Sequence, residues 1–243
     1  MKTAITTLIA LAATVISLAA QDNATRRFEI NVGDFKQLHV DNDIPVDYFC
    51  NPDSAGIAVL TAAPADAPLV IFDNNKRGRL AIQASVDVPA GRHLPHVTVY
   101  SSSLVKVLNS GDSLVRVNSI ISPEKFTAVL IGNGRLAIHD IQAPQVDASL
   151  RSGHGQLILS GACTTAKLNL VGTGAIQADR LKAVNGKASV VGTGTIGCDF
   201  TESLTVMGMG SGSVLYRSIP ASIKSRGMGI KHGLLDPPAQ ADE

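Results

Sequence analysis

The chain has 243 residues, 45% of them hydrophobic and 4% aromatic, with no tryptophan and a formal net charge of +1. Near-neutrality offers no overall basic footprint for DNA, RNA or an anionic membrane, and the scarcity of aromatics removes the usual stacking platform for bases or sugars. The length allows one elongated domain or two small ones with a sizeable core.

The first segment, MKTAITTLIALAATVISLAA, has one cation at Lys2, an apolar run and small residues around Ala19 and Ala20. That order predicts a secretory signal peptide over residues 1–20, which is excluded from fold reasoning. Thr6, Thr7, Thr14 and Ser17 interrupt the run, whereas a membrane anchor needs about twenty strongly apolar residues. No later stretch qualifies, so membrane insertion is not expected. The absence of a cysteine near the cleavage point argues against a lipoprotein anchor. The expected location is the periplasm, the outer-membrane surface or the extracellular space. Residues 21–27 are expected to be a flexible start, and Asn23-Ala24-Thr25 spells a glycosylation sequon within it.

Residues 28–107 read as an N-terminal all-β part. Short strands FEI, KQLHV, PVDYF, GIAVL, PLVIF, RLAIQ, HVTVY and LVKVL are separated by Asp, Asn, Gly and Pro clusters. Asp41, Asp43 and Asp47 occupy a strand–turn–strand, DNDIP, in which Asp and Asn stabilise the turn. Paired carboxylates are also what glycan cleavage requires, and that reading is the weaker one. His93 and His96 lie three apart in the loop DVPAGRHLPH, but no Cys, Asp or Glu stands close beside them to complete a tetrahedral metal site. His39, His139, His154 and His232 fall in separate units. Ser102 and Ser103 lack a GxSxG elbow.

From residue 108 to 233 the sequence repeats. Glycine pairs occur at Gly132-Asn133-Gly134, Gly153-His154-Gly155, Gly172-Thr173-Gly174 and Gly192-Thr193-Gly194, followed by Gly208-Met209-Gly210-Ser211-Gly212. First glycines are spaced 21, 19 and 20 residues apart, then 16 or 18. Weaker copies flank the array at Ser110-Gly111-Asp112-Ser113 and Gly227-Met228-Gly229. Apolar residues alternate around each pair with the period of a strand, as in Leu168, Leu170, Ile176 and Ala178. Gly192, Gly194 and Gly197 also spell the GxGxxG of dinucleotide-binding proteins. The following CDFTESLTVMGMG has no helical apolar stripe, and Arg217 stands where a ribose-binding acid is required. The glycines are therefore structural. Each unit of about twenty residues is predicted to be one coil of a solenoid, with six or seven coils stacked about 4.8 Å apart into a rod of about 30 Å.

The residues between paired glycines, Asn133, His154, Thr173, Thr193 and Met209 or Ser211, form a mostly polar column facing outward. Two roles fit it: a hydrogen-bonded ladder supporting the coil, or a recognition stripe. The unit around Gly153 has Leu150 out of phase, which predicts a bulge or register change there. Cys198 sits in an inward slot and reads as a small buried apolar residue, with a Cys163–Cys198 disulfide as the alternative. The tail from residue 234 to 243, with two prolines and several acids, is expected to be loose.

The succession FKQLHVDNDIPVDYF, PLVIFDNNKRGRLAIQ, HVTVYSSSLVKVLNSGDS and the ending GSGSVLYRSIPASIKSRGMGIK resembles the putative auto-transporter adhesin family, or head GIN domain, of exported Bacteroidetes proteins. The likeness spans residues 28–233. It implies an all-β, right-handed parallel β-helix-like solenoid, an envelope or extracellular location and a role in adhesion. It brings no catalytic, cofactor-binding or metal-binding residues, and no cofactor is expected. The expected function is a non-enzymatic, exported binding module acting through repetitive outer faces on a surface protein or glycan. A self-associating structural envelope protein is the second reading, and a glycan-active enzyme the third.

Overall fold

The computed structural model describes residues 24–235 apart from Lys76, Ala90 and Ser122. The signal-peptide expectation and the tail beyond Leu235 lie outside the described residues. The fold is all-β, 65% strand and 3% helix, with stacked coils forming a β-solenoid of about six turns.

The N-terminal part contains β1 (Arg26–Asn31), β2 (Gln37–Val40), β3 (Val46–Cys50), β4 (Ile57–Ala62), β5 (Val70–Asn75), β6 (Arg79–Ala84), β7 (Val97–Ser101) and β8 (Lys106–Asn109). Each corresponds to one of the short apolar runs read from the sequence. Their order in space differs from their order in the chain. β2 pairs in parallel with both β6 and β8, and β3 pairs in parallel with β7 and with β9 (Leu114–Val117). The β2/β3 layer is thus sandwiched between layers that follow it in sequence. Beyond β6 and β7 the strands turn antiparallel: β5 on β6, β4 on β7 and β1 on β4. This antiparallel set closes the N-terminal end of the stack, and the solenoid continues without a break from β8 and β9.

The following strands are β10 (Ile120–Ile121), β11 (Lys125–Ile131), β12 (Arg135–Gln142), β13 (Gln145–Arg151), β14 (Gln156–Gly172), β15 (Ala175–Gly192), β16 (Thr195–Gly210), β17 (Ser213–Tyr216), β18 (Ser222–Met228) and β19 (Lys231–Leu234). All their pairings are parallel. β19 reaches one residue into the segment expected to be a loose tail. A coil consists of one strand run, a glycine corner, a second run and a short third run. β14, β15 and β16 are long because they pass from one face to the next, and the β14–β15 and β15–β16 registers slip where they do so.

Inward columns follow the predicted alternation. Leu157, Ile176, Ile196 and Val214 stack in register on one face, and Leu130, Leu150, Leu170 and Val190 on the other, all buried to within 1%. The register aligns Gly192 with Gly210 rather than Gly208, so the last glycine-pair spacing is 18 and the middle residue is Ser211. Leu150 keeps its inward slot because the coil absorbs an extra residue at Ser152 and Gly153, which take φ of 65° and 80°. The predicted irregularity at Gly153 is therefore a local insertion at the corner.

Candidate functional site

The corner exists because stacked backbones approach closely there. A Cβ on Gly194 would lie 2.5 Å from the Gly174 carbonyl oxygen, and one on Gly174 would lie 2.3 Å from that of Gly155. The first glycines carry the turn itself, with φ of 122° at Gly172 and 123° at Gly192, a region side chains rarely occupy. Each carbonyl freed by the turn accepts from the next coil: Thr193 and Gly194 amides donate to Gly172 O at 3.1 Å, and Thr195 N to Gly174 O at 3.1 Å. With both glycine side chains missing, the corner is indented between the polar column and the first residues of the second strand run.

The result is an open groove of about 630 Å³ running across five coils from Asp112 to Thr195. One wall carries Asn133, His154, Thr173 and Thr193; the other carries Arg135, Gln156, Ala175 and Thr195. The column hydrogen-bonds largely to backbone: Thr173 Oγ1 donates to Gly153 O at 3.2 Å, and the His154 amide donates to Asn133 Oδ1 at 3.1 Å. Among the described residues no side-chain-to-side-chain hydrogen bond joins two column members. Backbone bonds support the coil, and Asn133, His154, Thr173 and Thr193 line the groove. Sequence reasoning identified this column as one outward stripe; the wall from Arg135 to Thr195 was missed because its residues share no motif.

Asp41, Asp43 and Asp47 are each engaged by the neighbouring coil. Asp41 accepts from Ser110 Oγ, Asp43 Oδ1 accepts from the Asp112 amide at 2.7 Å, and Asp47 pairs with Arg116 at 3.3 Å. Asp47 also lies 3.3 Å from His96 Nε2, a neighbour that the sequence did not reveal. Among the described residues no three His, Cys, Asp or Glu side chains converge as a metal site. His139 Nδ1 meets Ser160 Oγ at 3.5 Å across coils. Gly197 lies inside β16, so no helix opens on the GxGxxG segment.

The three cysteines are free thiols, so the alternative Cys163–Cys198 bridge is absent. The register explains this: Cys163 aligns with Ala183, which in turn aligns with Phe200, while Cys198 aligns with Ala178. Burial pushes the Cys163 thiol up to about 11, and burial together with Asp199 and Asp179 pushes Cys198 up to about 12. Neither is a thiolate at neutral pH.

The sequence profile described as putative auto-transporter adhesin, head GIN domain, matches residues 34–220. No curated protein matches in sequence. A putative adhesin from Bacteroides fragilis superposes with a TM-score of 0.77 at 20% identity, covering 86% of this chain and 97% of its own. A putative adhesin from Parabacteroides distasonis gives 0.68 at 18%, covering 88% and 98%. A protein of the same species titled putative lipid binding protein gives 0.67 at 17%, covering 87% and 97%. At these identities the structures share a fold with this chain, and the roles suggested for them concern those proteins alone. The glycine-cornered solenoid and the match over most of its length place this chain in the family of putative auto-transporter adhesins with the head GIN domain.

Proposed function

We propose that this protein is an exported, non-enzymatic adhesin-like module whose glycine-corner groove holds an extended, hydroxyl-rich chain, a surface glycan. The family and the β-solenoid support an adhesin-like role. The observation carrying the finer reading is the groove itself, a polar channel whose lining recurs over five coils. Parallel stacking places equivalent side chains about 4.8 Å apart, so five coils offer amide, hydroxyl and guanidinium groups along roughly 19 Å. A linear polymer meets such a row with repeated weak contacts that add, without a deep pocket. Asp112 is the one acid in the lining, at its N-terminal end, while Arg135 and His154 favour chains with acidic or sulfated sugars.

The test is a glycan and matrix-protein array probed with the purified chain, with light scattering on the same sample. Saturable binding to one glycan class, reduced at least tenfold by Asn133→Ala/Arg135→Ala/Gln156→Ala, is expected. A variant that binds as well as the parent removes the groove from the function. A defined oligomer that binds nothing on the array assigns the protein a structural envelope role.

A further inference from the structure

The near-neutral charge of the whole chain conceals a local imbalance on the face that precedes the glycine corner. Segments 165–172, 185–192, 203–210 and 222–228 stack there in parallel, and none contains Asp or Glu. Lys167, Lys187, Lys224 and Arg226 all project outward and are exposed, and none is in an ion pair among the described residues. Lys167, Lys187 and Lys224 occupy one column over these four rungs, interrupted by Thr205; on the rung before Lys167 the column carries Asp147, which is paired with Lys125.

A second column, against the corner, is apolar. Val171, Val191, Met209 and Met228 lie in register on four successive rungs, exposed by 48%, 50%, 62% and 71%. A single exposed apolar residue needs no explanation, but four stacked in a row form a ridge. The ridge stands about 14 Å along the strand from the lysine column, with Arg226 about 7 Å from Met228 on the last rung.

We propose that this face docks on an anionic lipid surface, the ridge entering the interfacial layer and the cations meeting phosphate headgroups. Charge complementarity selects an anionic partner, and the ridge selects one with an apolar layer beneath its charges; an acidic polysaccharide offers the first without the second. A second copy of the chain would set this basic face against its own like. A protein partner fits the size poorly: four rungs by one strand run span roughly 300–400 Å², against about 800 Å² per partner in a stable interface. The ammonium and guanidinium groups reach the headgroups beside the ridge. The unlike columns and the absence of acids arise only when four segments, each about twenty residues from the next, are stacked.

The test is co-sedimentation of the full chain lacking its predicted leader with vesicles of equal phosphatidylglycerol and phosphatidylcholine, and with phosphatidylcholine alone. The expected result is binding only to the anionic vesicles, released at 0.5 M salt. Lys167→Gln/Lys187→Gln/Lys224→Gln should weaken it by about a hundredfold, at roughly fivefold per cation. Val191→Ser/Met209→Ser/Met228→Ser should weaken it at least tenfold. All six positions are exposed, and circular dichroism checks that both variants fold. Failure of the parent to bind, or either variant binding like the parent, overturns the proposal. So does dextran sulfate binding that survives the apolar change, which assigns the face to an acidic polymer. Dimerisation abolished by the same change assigns it to a second copy. The groove variants leave this binding unchanged, so its outcome is independent of the groove's.

Discussion

At the scale of single residues, the GxGxxG spelling resolves into glycines of two kinds. Gly192 carries a φ of 123° and its Cβ would meet Gly172 O at 2.4 Å; a Cβ on Gly194 would meet both Gly174 O and a Leu170 methyl at 2.5 Å. The nearest atom to a Cβ on Gly197 is 3.7 Å away, and its backbone is extended. Gly192→Ala and Gly194→Ala should therefore each lose about 2–4 kcal/mol through strain or overpacking, whereas Gly197→Ala should be neutral within about 1 kcal/mol. Urea melts of the three variants check this, and equal losses at all three positions would refute the stacked-corner geometry. Sequence spacing showed that the pairs recur, but the third glycine looked the same in letters. Its different status follows from the neighbouring coil, which ends up beside Gly192 and Gly194 and leaves room at Gly197.

At the scale of the strand, the alternation read from the sequence assigns sides, and burial supports the assignment. Ile176 is fully buried between Leu157 and Ile196, while Thr173 is exposed at the corner. Ile176→Asp puts an unpaired charge into this column and should either abolish folding or lower the melting temperature by about 10 °C or more. Thr173→Lys loses one solvent-exposed hydrogen bond to Gly153 O and should cost less than about 1 kcal/mol. Thermal melts of both variants test the register together; a stable Ile176→Asp would sink it. The strands legible in advance were those with strict period-two patterning. The short third run of each coil, such as Ile141 with Gly161 or Ala183 with Phe200, was hidden because pairings of two to four residues are too short to show a period.

At the scale of the molecule, the chain lays its second and third strands into the middle of the N-terminal stack. A solenoid whose layers follow chain order tolerates loss of an end, because each coil touches only its neighbours. The two ends of this chain should therefore behave differently. A chain ending at residue 219 loses only β18 and β19, whose outward edge is unpaired among the described residues, and should keep its β-type circular dichroism with a lowered melting point. A chain starting at residue 52 loses β1, β2 and β3, and with them the layer joining β6 and β7 to β8 and β9, and should not fold. Limited proteolysis of the two truncations checks the contrast. A stably folded 52–235 would contradict this layer order.

The sequence by itself determined the β class, the coil length, the glycine corners and the inward columns, because these rest on local periodicity and on the space a missing Cβ leaves. It also carried the family resemblance. Tertiary structure alone decided which layers touch out of chain order and that Asp47 meets Arg116 and His96. It also placed the polar groove across five coils and gathered four cations with a Val and Met ridge on four successive rungs without acids. Those features depend on pairs of residues about twenty or more positions apart, and the parallel register between coils, which no local pattern encodes, brings them together.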